Sequence, residues 1–304
     1  MVYDIMIIGG GTAGLTSGIY GARAGKSVIV FEGSFAGGLI VTSPFIENYP
    51  AIQNISGPEF ATNLLSQAEA FGTKIVYESI IEVDIEGKIK RVISESNEYI
   101  GKTVIIATGT KRRKLGFENE DKLIGKGLSY CAYCDGAFFR GKDVAVVGGG
   151  NTALEDALYL SDICKTVYII HRRDKLKGEK AISNEIFKRE NIKFLTNTVV
   201  DDIIGDKVLN LVKIRNLKTG EIRDLSVNGL FVAIGQIPQN EIFSPPVTLD
   251  SSGYIVATED CKTNVSGVFV AGDCRVKKLR QLITASADGA TAVNSAIEYL
   301  NGGK

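Results

Sequence analysis

Two glycine-rich turns constrain this chain more than any other feature. Gly9-Gly10-Gly11-Thr12-Ala13-Gly14 follows an apolar run at 3–8, and Gly148-Gly149-Gly150-Asn151-Thr152-Ala153 follows an apolar run at 143–147. Each turn leads into a helix-like stretch, to about Ala24 and about Ser161, and then into another short apolar run, at 27–31 and 166–170. Strand, glycine turn, helix, strand opens a dinucleotide-binding unit. The first two glycines permit a tight turn and close backbone approach to a pyrophosphate, and a small third residue lets helix and strand pack. The helix N-terminus then faces the phosphates. The pattern predicts an α/β protein with two such units, and 304 residues suffice for two domains of ordinary size.

The ends of the second strands differ. Glu32 ends the first, and the same offset from Gly148 falls on His171, followed by Arg172, Arg173 and, further on, Lys177. A carboxylate suits a free ribose hydroxyl, whereas cations suit a 2′-phosphate. The first site is therefore expected to take FAD or NAD, and the second NADPH. A solvated basic helix start is the plainer reading of the same cations.

Cys131-Ala132-Tyr133-Cys134-Asp135 lies between the two turns in sequence. A Cys-x-x-Cys pair can close and reopen a disulfide by thiolate exchange. A helix N-terminus lowers a thiol pKa, and Asp135 can hold a proton for a leaving thiolate. The other readings are half a zinc site or two inert core cysteines. Zinc usually needs four ligands, and the chain has a single histidine, His171, and no second Cys-x-x-Cys, so no metal is expected. Cys164, Cys261 and Cys274 are scattered and read as small buried hydrophobes. Lys+Arg and Asp+Glu number 35 each, which offers no argument for nucleic acid or a membrane surface. No run is long and apolar enough to span a bilayer, and the chain enters a strand with no room for a signal peptide. The cytoplasm is the expected compartment.

Elsewhere, glycines at 33–50 mark either ligand approach or ordinary turns, 58–71 reads as an amphipathic helix, and 74–100 as a strand meander. A buried strand at 103–109 precedes the basic run Lys111-Arg112-Arg113-Lys114, read as a solvated connector, hinge region or docking surface. Short strands at 199–230 precede a return strand at 229–235. A further strand at 267–273 ends in Gly272-Asp273, where the aspartate either reaches a ribityl hydroxyl or caps a turn. Arg280-Gln281 precedes a small-residue helix at 285–300. The repeated units predict one domain inserted into another.

Together these residues resemble the low-molecular-weight thioredoxin reductases of the flavoprotein disulfide reductase superfamily, over essentially the full chain. The larger disulfide reductases carry their cysteines in the first domain and add a C-terminal dimerisation domain, and this chain does neither. The resemblance implies two Rossmann-like domains, each a three-layer arrangement of parallel sheet plus β-meander. An NADPH domain at 114–241 would be inserted in an FAD domain split into 1–113 and 242–304. It implies FAD contacts from Gly9, Gly11, Thr12, Ala13 and Gly14, from Glu32, Gly33, Gly37, Gly38 and Leu39, and from Asn48, Val83 and Gly109. Asp273, Arg280, Gln281, Leu282 and Ile283 complete that set. It implies NADPH contacts from Gly150, Asn151, Thr152, His171, Arg172, Arg173 and Lys177, with Ile234 and Tyr254 nearby.

By the same resemblance the protein is a homodimer. Hydride passes from NADPH to FAD and then to the Cys131–Cys134 disulfide. Cys134 faces the flavin, Cys131 attacks the thioredoxin disulfide, and Asp135 is the acid and base. The inserted domain rotates about connectors near Arg113 and Ile242. Lys177 stands where many relatives have Arg, Leu39 where many have Gln, and Tyr133 where Thr is commoner. Three alternatives stay open: electrons from ferredoxin, a different dithiol partner such as a glutaredoxin-like or peroxidase-linked protein, and a redox-sensing switch without turnover.

Overall fold

A computed structural model of the chain describes residues 1–43, 46–178 and 180–302. The chain forms two compact units, Met1–Lys111 with Ile237–Lys304, and Arg112–Gln236. These change over a few residues before the boundaries expected from sequence.

The first unit is built on the strand Val2–Ile8, which runs parallel to Val28–Phe31 on one side and to Glu98–Ile106 on the other. From Ile5 to Ile8 its side chains alternate between two cores, as a two-residue period requires, and Tyr3 at the start of the strand departs from that alternation. Tyr3, Met6 and Ile8 pack with Phe243, Val247 and Ile255, while Ile5 and Ile7 pack with Ala13, Ala292, Val293 and Ala296. Glu98–Ile106 has two roles. Its first half pairs antiparallel with Lys90–Ser94, which pairs with Ile80–Asp84, and its second half pairs parallel with Val2–Ile8 and Val268–Val270. The alternation expected over 74–100 therefore covers two structures. Lys74–Val76 is a parallel edge strand beside Val28–Phe31, outside the meander.

The helices Thr12–Arg23 and Leu282–Leu300 approach closely because small residues face each other. A Cβ on Gly289 would lie 2.4 Å from the Ala13 carbonyl oxygen, and the Ser17 hydroxyl donates to the Gly289 carbonyl at 3.1 Å. Lys90 is fully buried, and its ammonium donates to the carbonyls of Ile85, Gly87 and Ser266, closing the meander turn.

The second unit repeats the plan. Its parallel sheet has the order Ile192–Thr196, Thr166–His171, Asp143–Val147, Gly229–Val232, Leu128–Ser129. The helix Asn151–Ser161 covers one face through Ala153, Leu154, Ala157 and Leu160. An antiparallel meander, Thr198–Gly205, Leu209–Asn216 and Ile222–Leu225, covers the other through Ile203, Val212 and Ile214. The near-continuous apolar runs of the central strands follow from burial on both faces. The chain crosses between units at Thr110–Arg112 and Gln236–Pro238, which pair as a two-stranded ribbon.

Candidate active site

The first glycine turn is shaped for close backbone approach. Gly9 has φ +112°, and a Cβ there would lie 2.2 Å from the Ala107 carbonyl oxygen. A Cβ on Gly14 would lie 1.8 Å from the Gly9 carbonyl oxygen, so this position must be glycine for the helix Thr12–Arg23 to start where it does. Glu32 is tied back to the turn. One carboxylate oxygen accepts from Gly10 N–H at 2.9 Å and the other from Ser34 N–H at 3.0 Å, next to Gly33. Gly37 donates its N–H to the Gly10 carbonyl at 2.7 Å, which lays Gly38 alongside Gly11 at the start of the helical turn Gly38–Thr42 that carries Leu39.

The other end of this site forms where Val268–Val270 stops. Asp273 follows Gly272, and its Oδ1 is buried with no hydrogen-bond partner among the described residues. Burial raises its pKa against the charges of Lys277 and Arg280. Arg280 donates to the Asp273 carbonyl and stacks 4.1 Å from the centroid of Tyr254. Gln281 caps the helix Leu282–Leu300 and accepts from the Asn48 amide at 3.1 Å. An unpartnered buried acceptor beside an unobstructed glycine turn fits a dinucleotide carrying a polyhydroxyl chain, as FAD does. Leu282 and Ile283 open the last helix, and Gly109, at φ +62°, has open space where a side chain would point. Val83 pairs with Val92 in the meander of the same unit and packs on its core. Tyr254, expected beside NADPH, lies in the first unit under Arg280.

Asp288 holds the Gly272-Asp273 turn in place. It accepts from Gly272 N–H at 3.0 Å, from Arg275 twice at 2.9 Å, and from Lys277 at 2.8 Å. Burial pushes its carboxyl up, but the hydrogen bonds and charges of Arg275 and Lys277 outweigh this and hold it below the usual carboxylate value. The stability this confers is therefore present above the ordinary carboxylate range and lost as pH falls through the lowered folded value. Asp288→Asn is expected to cost about 3 kcal/mol, because it leaves two buried cations without their counter-charge. Thermal melts across pH check this: the variant should be less stable at neutral pH and show a shallower acid-side loss than the parent.

In the second unit, the loop after Thr166–His171 wraps the second glycine turn. The His171 ring lies directly on Gly149, where a Cβ would fall 2.3 Å from Nδ1. Burial lowers the His171 pKa against the hydrogen bond to the Lys175 carbonyl, and the neighbouring Arg173 and Arg172 charges add to the lowering, which favours the neutral ring. The Lys177 N–H donates to the Gly149 carbonyl at 2.7 Å. Arg172, Arg173 and Lys177 are exposed, and Gly150 has open space above the helix that Asn151 and Thr152 begin. Three exposed cations and a helix N-terminus around one turn fit a nucleotide with an additional phosphate. Ile234 follows the return strand Gly229–Val232 in the same unit and packs on its core.

Cys131 and Cys134 are bonded as a disulfide with Cα atoms 5.3 Å apart. Cys131 caps the short helix Ala132–Asp135, and its Sγ accepts the Cys134 N–H at 3.2 Å. That donor would stabilise a thiolate on Cys131. Burial pushes the Asp135 carboxyl above the usual range, against the Ser129 hydroxyl and the Arg112 charge. Ser129 donates to Asp135 Oδ2 at 2.5 Å and accepts the Cys131 N–H at 3.0 Å, while Oδ1 is buried without a partner among the described residues. Tyr133 stacks on Tyr159 of the adjacent helix, 4.6 Å between centroids, which fixes one side of the redox segment. Cys164, Cys261 and Cys274 are buried, and burial raises each thiol to about 11. The open groove of about 680 Å³ between Phe117 and the meander includes none of these residues.

Three residues escaped the sequence reading. Arg112 was hidden in a basic run read as a connector, yet it turns inward onto the Tyr130 ring, 5.1 Å from its centroid. Ser129, two residues before Cys131, carried a weak signal as a hydroxyl able to bond the following backbone. Asp288 had only its isolation as an acid amid small residues.

The model of the pyridine nucleotide-disulphide oxidoreductase family matches residues 3–289. The chain is 44% identical over 306 residues to a thioredoxin reductase of Peptoclostridium acidaminophilum, covering 98% of this chain and 97% of the other. It is also 44% identical to one of Streptomyces coelicolor, covering 98% and 94%. The crystal structure of a thioredoxin reductase from Streptococcus pyogenes superposes with a TM-score of 0.94 at 39% identity, over 99% of each chain.

Proposed function

The chain belongs to the pyridine nucleotide-disulphide oxidoreductase family and, within it, to the thioredoxin reductases, and from that premise we propose the roles of its residues. The enzyme reduces the disulfide of thioredoxin with NADPH, using FAD. Bound FAD supplies the electron pair, taken as hydride from NADPH, that opens a disulfide. The first unit would hold FAD through the 9–14 turn, Glu32, the 37–39 segment and Asp273. The second would hold NADPH through the 150–152 helix start and the cations of 171–177. The chain passes between units only at the paired segments Thr110–Arg112 and Gln236–Pro238, so a hinge motion between them turns there.

The observation that carries the chemistry is the bonded Cys131–Cys134 pair at a short helix start beside a buried acid. Opening that bond takes up two electrons and leaves two thiolates, with Cys134 the sulfur that would face the group supplying them. Cys131 then attacks the thioredoxin disulfide, forming one S–S bond and breaking another. The departing thioredoxin sulfur takes the proton held by Asp135. Cys134 attacks Cys131 Sγ, which restores the intramolecular disulfide and releases the second thioredoxin sulfur. The basic second turn favours a pyridine nucleotide over ferredoxin as the electron source. We further place the enzyme in the cytoplasm as a homodimer, on the family likeness. Among the described residues no helix is long and apolar enough to cross a membrane.

Steady oxidation of NADPH in the presence of oxidised bacterial thioredoxin tests this reading. Turnover should require both the protein disulfide and bound FAD. NADPH consumption that ignores thioredoxin would overturn it.

A further inference from the structure

We infer that Ser129 is the positioning residue of the acid–base step: it pins Oδ2 of Asp135 and thereby leaves Oδ1 as the oxygen that carries and delivers the proton. This deepens the proposed function and rests on Asp135 being the acid. Ser129 is itself fixed. It ends the edge strand Leu128–Ser129, pairs in register with Phe231, and is 2% exposed. Its hydroxyl has one proton and two acceptors in reach, the Cys131 carbonyl at 3.3 Å and Asp135 Oδ2 at 2.5 Å. The shorter bond to a carboxylate takes it. The hydroxyl lone pair meanwhile accepts the Cys131 N–H at 3.0 Å, so the same oxygen registers the attacking cysteine against the acid. With Oδ2 accepting a hydrogen bond, a protonated Asp135 carries its proton on Oδ1, the atom with no partner among the described residues. An acid O–H left without a protein acceptor is free to turn to a sulfur leaving group.

The charges around Asp135 agree with this division. Arg112, from the strand Thr110–Arg112, contributes the one resolved positive charge on Asp135 and stacks on Tyr130. The Tyr130 hydroxyl donates to Glu120. The Glu120 carboxylate also accepts the N–H groups of Leu115 and Gly116, so its charge is engaged away from Asp135. On the neighbouring helix, Asp156 and Glu155 act on Tyr133. Cys131 and Cys134 are neutral while bonded and charged only after opening.

In the step itself, Cys131 S⁻ attacks the substrate disulfide, the new S–S bond forms, the substrate S–S bond breaks, and the leaving sulfur takes the Oδ1 proton. Asp135 becomes a carboxylate whose charge the Ser129 hydroxyl and Arg112 stabilise. Removing the hydroxyl removes a donor to the charged form, so the Asp135 pKa should rise further while its aim is lost.

The test is single-turnover reoxidation of the FAD-loaded, reduced enzyme by oxidised bacterial thioredoxin, followed across pH. Ser129→Ala should slow this step about tenfold, a part of what a general acid contributes, and should move the alkaline limb of the profile to higher pH. Ser129→Thr, which keeps the hydroxyl, should restore both. Alanine is smaller than serine and keeps the backbone pairing with Phe231, and a melting curve checks that the fold is kept. Asp135→Asn should abolish the alkaline limb altogether. If Asp135→Asn abolishes the limb but Ser129→Ala leaves it where it was, the inference about Ser129 fails and the role of Asp135 stands. If Asp135→Asn keeps the parent limb, the premise fails.

Discussion

Cys131→Ser is expected to lower turnover with thioredoxin by at least about 10⁴-fold, the scale on which loss of an essential nucleophile acts, while NADPH still bleaches the flavin. A serine hydroxyl cannot replace the thiolate, because it stays protonated at neutral pH and forms no S–S bond. Nothing in the second nucleotide turn depends on this sulfur. His171 lies on Gly149 and the Lys177 N–H donates to the Gly149 carbonyl, so NADPH binding should persist. Cys134→Ser should fail differently. Cys131 then keeps its thiol and attacks, but no second sulfur resolves the product. A covalent complex with thioredoxin should accumulate on a non-reducing gel and vanish with dithiothreitol. If Cys131→Ser instead forms that complex, the two roles are exchanged.

The second large effect concerns nucleotide choice. Arg172→Ala with Arg173→Ala is expected to lower kcat/KM for NADPH by about 10²-fold. Two charge-assisted hydrogen bonds to phosphate at an exposed site contribute about 3 kcal/mol together, which corresponds to that factor. NADH lacks the 2′-phosphate, so its kcat/KM should change by no more than about threefold. Lys177→Ala should cost NADPH only about tenfold, since an ammonium binds phosphate as a point charge without the guanidinium fork. Steady-state kinetics with both nucleotides checks this. Equal losses for NADPH and NADH would show that the arginines support the loop and do not read the phosphate.

The features legible in the sequence are those whose contacts are local along the chain. Gly14 meets Gly9, Gly149 meets His171, and Glu32 reaches back to Gly10, each inside one strand–helix–strand unit, so spacing exposes them, whereas the approach of Gly9 to Ala107 and of Gly148 to Ala233 joins segments distant in sequence. The cysteine pair was legible because three residues of separation already bring two sulfurs together. What stayed hidden depends on contacts between distant segments. Ser129 gains its position from pairing with Phe231, about a hundred residues on. Asp288 reads in sequence as a helix residue, and only the packing of Leu282–Leu300 brings it to Gly272, Arg275 and Lys277. Lys74–Val76 reads in sequence as part of the meander because a three-residue strand has too short a pattern to tell a parallel edge from a hairpin. Arg112 sat among four consecutive bases, where composition suggests solvent, and the Tyr130 ring draws one of them inward.

In the proposed route, electrons pass from NADPH through bound FAD to one dithiol, Cys131 and Cys134. Anaerobic alkylation with iodoacetamide, mapped by mass spectrometry with and without NADPH on the FAD-loaded protein, tests it most directly. Label is expected on Cys131 and Cys134 only after NADPH, and on none of the buried Cys164, Cys261 and Cys274 before unfolding. A disulfide that stays closed while NADPH reduces the flavin, or NADPH-dependent label confined to the other cysteines, would contradict it.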